Sequence, residues 1–276
     1  MDMLPVNLVV IRHAESESNA AKRRSKKGDN EAANKLRGRH TASFRLTDRG
    51  KEQARVTGEW LRKEFYGNEI QRWRGWGFDR CYTSDYLRAM ETGGLFQLPN
   101  ARWHCDMYLT ERDWGDIHAL PEDERQAKFG EALRMKEQEP FFWRPPNGQS
   151  LAEKCLHVDR VLDTLDRECR DMSVLMACHG ETTWAIRVRI ERISQQRFRD
   201  LHLSKDPDDR IKNCQVLHYT RRNPFTGELA PRANWLRMVR PAENPVWDTG
   251  WQTIERPKYS NDDLLRLVET VTPDVT

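Results

Sequence analysis

The sequence has no long apolar stretch, no excess of charge of one sign and no internal repeat. No stretch approaches the roughly 18 consecutive apolar residues of a membrane-spanning helix. Residues 1–10 lack the cationic start of a secretory signal. These absences predict a protein that works in the cytoplasm and has no membrane partner.

Close cysteine pairs are also missing. The six cysteines never form a C-x-x-C pattern, and the nearest approach to a ligand pair is His104 beside Cys105. Such spacing predicts neither a disulfide framework nor a zinc site. We therefore expect reduced thiols and no bound metal.

Positive charge is concentrated in one segment. The chain has 46 Lys and Arg against 43 Asp and Glu, a net charge of +3 over 276 residues. Residues 20–45 hold nine basic and two acidic residues, a local charge of +7. A local field of this kind argues against a general nucleic-acid binder. Two interpretations of the segment stay open, a solvated loop or a device that gathers anionic substrate.

Short apolar runs alternate with amphipathic segments. The runs predict buried strands at 6–11, 78–84, 173–178, 215–220 and 235–239. Helical spacing and capping residues predict helices at 47–65, 85–96, 151–165 and 182–194. This order predicts an α/β protein, a three-layer α/β/α sandwich around a mainly parallel sheet.

The domain organisation follows from the same pattern. We expect residues 1–220 to form one catalytic domain with the basic insertion at about 20–45. Residues 221–276 are rich in Pro and Trp. They predict an irregular extension that packs on the same domain and ends in a short helix near 264–268.

Two histidines fall where two predicted strands end. Arg12 and His13 follow the first strand, and His179 follows the strand at 173–178. Active sites of such sheets lie at the carboxyl ends of the strands, so both imidazoles should meet at one rim. Arg88 begins a helix beside the same rim. Two imidazoles and two guanidinium groups suit the oxygens of a phosphoryl group.

The sequence motifs in these segments resemble those of a known family. RHAESESN is similar to the R-H-G-E-S-x-x-N signature of the histidine phosphatase superfamily, with Ala14 in place of the usual glycine. LTDRGKEQA, SDYLRAMETG, ERDWG and HGE follow in the family's order over roughly residues 6 to 218. ERDWG and FFWRPPNGQSL look closest to the phosphatase-like members, which include no long insertion at this point.

The resemblance implies roles for individual residues. His13 would be the nucleophile, and Arg12, Arg88 and a protonated His179 would stabilise the phosphoryl oxygens. Glu111 would be acid in the first step and base in the second. This chemistry requires neither a metal nor another cofactor.

Other positions are expected to contact substrate. Asn19 matches the family's phosphate-binding amide, and Arg39 and Glu181 are further candidates for substrate binding. Glu181 is also the alternative to Glu111 as acid and base. Asn213, in IKNCQVLHY, is interpreted as structural.

The leading functional hypothesis is a metal-independent phosphomonoester hydrolase acting through a phosphohistidine. A phosphoglycerate mutase and a weakly catalytic regulatory or anion-binding module are the alternatives. We expect a phosphorylated small molecule or phosphoprotein as substrate and no nucleic-acid partner. The physiological substrate and the oligomeric state stay open. If the basic insertion gathers substrate, the side chains expected to select polyanions are Lys22, Arg23, Arg24, Lys26 and Lys27.

Overall fold

The computed structural model describes residues 4–67 and 77–269. The strands are β1 Asn7–Arg12, β2 Arg80–Thr83, β3 Trp103–Cys105, β4 Ser173–Cys178, β5 Val216–Thr220, β6 Trp235–Arg240, β7 Asn244–Asp248 and β8 Gln252–Thr253. The helices are α1 Glu17–Ser25, α2 Glu31–Leu36, α3 Asp48–Tyr66, α4 Leu87–Leu95, α5 Glu122–Gln138, α6 Leu151–Glu168, α7 Gly180–Glu191, α8 Gln195–Leu203 and α9 Asn261–Glu269. Within the described residues, no helix is long and apolar enough to cross a membrane.

The strands form one mixed sheet in the order β3-β2-β4-β1-β5-β6-β7, with β8 paired to β6. The strands β3, β2, β4 and β1 are parallel, and β5, β6 and β7 continue the sheet with antiparallel pairs. Since β1 and β4 pair in register, Arg12 lies opposite Cys178. The residues that follow these two strands therefore emerge side by side.

Helices cover both faces of the sheet. Leu8 and Val10 of β1 pack in one core cluster with residues of α6 and α7. Val9 and Ile11 face the opposite way and pack with residues of α3 and α4. This alternation along a single strand, with apolar residues on both faces, is typical of a buried parallel sheet. The predicted three-layer α/β/α architecture is confirmed.

The extension after residue 221 is more regular than its composition indicates. The helix near 264–268 is present as α9 and the strand at 235–239 as β6, but β7 and β8 were not predicted. Arg240 pairs with Asp208, and the Arg256 guanidinium donates to the carbonyl oxygen of Ile190 over 3.0 Å. An irregular wrap is therefore the wrong description of residues 235–253, which extend the sheet, whereas residues 221–234 are irregular.

The basic insertion is helical, so of its two interpretations the loop is wrong, although many of its side chains are exposed. It forms α1 and α2, which enclose a small apolar cluster. The members of this cluster are Ala21, Ala33, Leu36 and Phe44. Polar contacts join the insertion to α5, with the Glu122 amide donating to Ser25 Oγ over 2.7 Å and Asn30 to Asp123 over 3.0 Å. We call α1, α2 and α5 together the cap.

Glycine in α3 permits a close helix contact that can be tested. A Cβ at Gly58 would overlap the backbone of Phe96, whereas one at Gly94 in α4 would meet no atom within 4 Å. We expect Gly58→Ala to lower the free energy of unfolding by about 2 kcal/mol, because overpacking outweighs the better helix propensity of alanine. The matched control Gly94→Ala should leave it unchanged or raise it by up to about 1 kcal/mol. Chemical denaturation measures both, and equal effects would contradict the close contact.

Candidate active site

The candidate site lies at the carboxyl ends of β1, β2 and β4. His13 follows β1, His179 follows β4, and Ser84 follows β2. The two imidazole rings lie 5.0 Å apart between centroids at an angle of 62°. The prediction that both histidines meet at one rim of the sheet is confirmed.

The His13 ring is held by hydrogen bonds at both nitrogens. Nδ1 lies 2.7 Å from the carbonyl oxygen of Ala14, and Nε2 accepts from Nε of Arg88 over 3.1 Å. These partners place the ring proton on Nδ1 and leave a lone pair on Nε2. Burial, with the charges of Arg88 and Arg12, holds the pKa of His13 well below its ordinary value. His13 is therefore neutral near pH 7, as a nucleophile must be.

The loop between β1 and α1 is anchored by α3, which explains the residues of the LTDRG motif. Thr47 Oγ1 accepts from the Gly50 amide and donates to the Glu15 carboxylate over 2.9 Å. A side chain at Gly50 would overlap the Glu15 carbonyl. Close contact between this helix start and Glu15 fixes the segment that carries His13.

His179 is fully buried, and Nε2 lies 2.8 Å from Ser84 Oγ. Its Nδ1 is buried without a hydrogen-bond partner in the described structure. Burial and the neighbouring charge of Arg88 hold the pKa of His179 well below its ordinary value. We therefore expect a neutral ring in the free enzyme, in contrast to the protonated form expected from the sequence. With Ser84 donating to Nε2, the Nδ1–H can still donate to a phosphoryl oxygen.

Two guanidinium groups border the same space. Arg88 lies in the first turn of α4, as predicted, and donates to the Thr41 carbonyl over 2.6 Å as well as to His13. Arg12 donates to the Ile211 carbonyl over 2.6 Å, and its Nε is buried without a partner in the described structure. Burial lowers the pKa of Arg88 to about 10, so it remains a cation at neutral pH. The structure thus leaves strong donors available around His13.

Glu111 faces these cations. Its Oε1 accepts from the backbone amides of Arg112 over 2.9 Å and Glu181 over 3.1 Å. Burial and the charge of Glu181 raise the pKa of Glu111, although Arg88 acts in the opposite direction. A carboxyl with a raised pKa retains its proton to higher pH and can donate it.

Glu181 has the opposite electrostatics. Its carboxylate lies 3.2 Å from the guanidinium of the fully buried Arg112. Burial alone would raise the pKa of Glu181, but the charges of Arg112 and Lys136 outweigh it and lower that pKa. Neighbouring carboxyl groups with opposite shifts are suited to different tasks.

The remaining predicted positions separate into two groups. Asn19 lies in the cavity wall, where its Oδ1 accepts from Ser16 and Asn213. Asn213 also donates to the carbonyl of His13 over 2.8 Å, which agrees with its structural interpretation. Arg39 is exposed and pairs with Glu17 over 2.9 Å, outside the cavity lining. Its placement does not support the predicted contact with substrate.

A cavity of about 470 Å³ opens above this arrangement. The reactive groups His13, Arg12, Arg88, Glu111 and Glu181 line its floor and sides. The cap contributes residues from α1, α2 and α5 to its walls. The cavity volume falls within the range of small-molecule sites.

Several contributors to the site were not predicted from the sequence. Ser84 orients His179, Arg112 pairs with Glu181, and Lys136 of α5 lines the cavity. The SDYLRAMETG and ERDWG motifs contain the first two, so their wording could have drawn attention to them. For residues 4–67 and 77–269, no group of three or more His, Cys, Asp and Glu side chains could hold a metal ion.

Known sequences with similarity to the chain are named as phosphoryl-transfer enzymes. The 2,3-bisphosphoglycerate-dependent phosphoglycerate mutase of Methylobacterium radiotolerans is 30% identical over 167 residues, which are 57% of this chain and 73% of the relative. The protein of the same name from Azorhizobium caulinodans is 34% identical over 160 residues, covering 55% of this chain and 71% of the relative.

Solved structures with the same fold include named phosphatases. The mycobacterial glucosyl-3-phosphoglycerate phosphatase superposes with a TM-score of 0.57 at 18% identity, over 77% of this chain and 90% of that chain. A putative alpha-ribazole-5'-P phosphatase from Escherichia coli superposes with a TM-score of 0.57 at 17% identity, over 83% of this chain and 96% of that chain. At this level of sequence identity, the structural similarity shows a shared fold and no more.

A sequence profile of the histidine phosphatase superfamily (branch 1) matches residues 8–208. This range contains β2 to β4, all of β1 except its first residue, and the side chains of Arg12, His13, Arg88, Glu111, His179 and Glu181. The chain is therefore an enzyme that belongs to the histidine phosphatase superfamily.

Proposed function

We propose that the chain hydrolyses phosphomonoesters through a phosphohistidine formed on His13. The observation that carries this proposal is the hydrogen-bonded, neutral His13 ring, with Nε2 facing the cavity's cations and a Glu111 carboxyl whose pKa is raised by burial. All of these groups line one cavity or its floor. Their chemistry matches the two halves of a double displacement.

In the first half, the Nε2 lone pair of His13 attacks phosphorus, and Arg88 exchanges its bond to Nε2 for a bond to a phosphoryl oxygen. The ester P–O bond breaks with its electron pair on oxygen, and the leaving oxygen takes the proton of Glu111. Arg12 and the Nδ1–H of His179 donate to the remaining phosphoryl oxygens. Charge is thus stabilised where it develops.

In the second half, the Glu111 carboxylate accepts a proton from water while the water oxygen attacks phosphorus. The P–N bond breaks and returns its electron pair to His13 Nε2. Glu111 regains the proton that it lost, and inorganic phosphate leaves. The opposite pKa shifts of Glu111 and Glu181 support Glu111 as the acid and base, because a carboxyl with a lowered pKa is a poor proton donor.

A mutase is the second candidate, and the two named relatives at 30% and 34% identity favour it. A mutase must exclude water from its phosphohistidine until the acceptor acid binds. Phosphoglycerate is smaller than the ligands that cavities of about 470 Å³ usually hold. The space left over admits water, which supports hydrolysis.

Metal-free assays distinguish the two reactions. With a chelator present, we expect steady phosphate release from p-nitrophenyl phosphate. We expect slower conversion of 3-phosphoglycerate to 2-phosphoglycerate in the presence of 2,3-bisphosphoglycerate. Fast interconversion with little phosphate release would establish the mutase instead, and neither activity would refute both.

The pH profile tests the electrostatics of Glu111. Since Glu111 must be protonated to donate, kcat/KM for an alkyl phosphate should fall as pH rises through its raised pKa. Glu181→Gln removes a negative charge that raises the pKa of Glu111, and it breaks the ion pair between Glu181 and Arg112. The alkaline limb of the kcat/KM profile should therefore move to lower pH. Glu122→Gln, whose carboxylate pairs with Arg125, is the control. An unmoved limb in Glu181→Gln would exclude Glu111 as its source.

A further inference from the structure

Three cations surround one indole ring in the cavity wall. Arg112 lies 4.6 Å from the ring centroid of Trp114, Lys136 lies 5.0 Å from it and Lys22 lies 5.9 Å from it. A cation over an aromatic face is attracted by the ring quadrupole. The ring therefore holds three positive groups close to each other.

Among the described residues, Arg112 is the one of these three cations with a carboxylate at ion-pair distance. Arg112 pairs with Glu181 over 3.2 Å. In the described part of the chain, neither Lys22 nor Lys136 has a carboxylate at ion-pair distance, and both line the cavity. The neighbouring cation Arg125 pairs with Glu122. Two unpaired ammonium groups thus face the same space.

Their charges act on one another. Enclosure by the pocket, with the charges of Arg125 and Lys136, lowers the pKa of Lys22 to about 8, even though its side chain reaches solvent. Burial and nearby cations also lower the pKa of Lys136. An anion between the two groups would remove this repulsion, and both lysines would then be held in their charged form.

The cap fixes where the two lysines stand. Lys22 comes from α1 and Lys136 from α5, so both belong to the cap, whereas His13 follows a strand of the sheet. The bond from the Glu122 amide to Ser25 joins the two helices. The lysines therefore occupy a wall of the cavity that is distinct from its catalytic floor.

We propose that Lys22 and Lys136 form a second anion-binding subsite beside Trp114. It would take a second phosphate or a carboxylate on a substrate whose reacting phosphoryl group lies at His13. The inference rests on the proposed function in that it assigns the reacting group to His13. It predicts that the preferred substrates are phosphomonoesters that carry a second anionic group, a phosphate or a carboxylate.

Of the basic side chains in the insertion, only Lys22 lines the cavity, although the charge of Lys26 also acts on Lys22 and Lys136. Arg23 pairs with Glu15, and Arg24 pairs with Asp29 over 2.6 Å. Lys27 is exposed and does not line the cavity. Of the candidate anion-binding residues in the segment with a charge of +7, the structure thus leaves Lys22. It adds Lys136, which lies outside that segment.

Calorimetric titration of the full-length His13→Ala protein tests the subsite without turnover. The probes are fructose 6-phosphate, fructose 1,6-bisphosphate and 6-phosphogluconate, which differ in the presence and chemistry of the second anion. We expect fructose 1,6-bisphosphate and 6-phosphogluconate, which carry a second anionic group, to bind about tenfold more tightly than fructose 6-phosphate. Lys22→Met or Lys136→Met on this background should abolish most of that preference, and the matched control Lys27→Met should retain it.

Equal affinity for all three probes would overturn the subsite, as would a preference that survives both lysine substitutions or disappears equally in the control. Tighter binding of only one of the two probes with a second anionic group would support the subsite and show whether it recognises phosphate or carboxylate. Thermal unfolding verifies the fold of each variant, and Lys22→Gln and Lys136→Gln repeat the test with polar side chains. Hydrolysis of p-nitrophenyl phosphate by the wild type is measured in parallel. If the probes with a second anion bind more tightly but p-nitrophenyl phosphate is not hydrolysed, the proposed function is refuted and the subsite is not. If hydrolysis occurs but the probes bind equally, the subsite is refuted and the proposed function is not.

Discussion

His13→Ala should lose turnover by about 10⁴-fold or more, because no other group replaces the nucleophile of the double displacement. The substitution removes an imidazole that bonds Ala14 and Arg88 at the cavity floor, and it leaves both apolar clusters of the sheet intact. We therefore expect a folded protein with a modest loss of stability. Steady-state assays with p-nitrophenyl phosphate and an alkyl phosphate measure the loss.

The matched control for this variant is His104→Ala. His104 is exposed on β3, outside the cavity lining. Its removal should leave kcat unchanged. If His13→Ala retained near wild-type kcat with a native circular dichroism spectrum, His13 would not be the nucleophile.

Glu111→Gln should lower kcat for alkyl phosphates by about 10³-fold, because an alkoxide leaving group needs a proton. For p-nitrophenyl phosphate, whose leaving group is stable without a proton, the loss should be about tenfold. The amide preserves the size of the side chain that accepts from the Arg112 and Glu181 amides. The ratio of the two losses therefore reports proton donation rather than packing.

Glu181→Gln is the comparison for the Glu111 assignment. Its carboxylate is paired with Arg112 and has a lowered pKa, so at a pH below the alkaline limb its substitution should give similar losses with both substrates. A large leaving-group dependence in Glu181→Gln and none in Glu111→Gln would transfer the acid and base role to Glu181.

The sequence was sufficient to predict which side chains meet at the floor of the cavity. Strands at 6–11 and 173–178 are short and apolar, and parallel pairing of such strands brings His13 and His179 together. Arg88 could be placed because its helix follows a third strand of the same sheet. These positions depend on topology, which hydrophobic patterns indicate well.

The cap could not be predicted from the same patterns. Helices α1 and α2 bury only small residues and a few larger ones around Phe44, so their apolar signal is weak against many charges. Lys136 and Lys22 are far apart in the sequence and meet only around Trp114. The neutral state expected for His179 likewise depends on burial and on charges that surround it in space.

The central claim is that water resolves a phosphohistidine on His13. Rapid mixing of the wild type with labelled alkyl phosphate, alkaline quenching and peptide mapping should reveal an acid-labile, base-stable label on the peptide that contains His13. A chase without acceptor should release this label as inorganic phosphate at a rate that accounts for kcat. A label on another residue, no label during turnover, or a label that leaves only when phosphoglycerate is added would contradict the account.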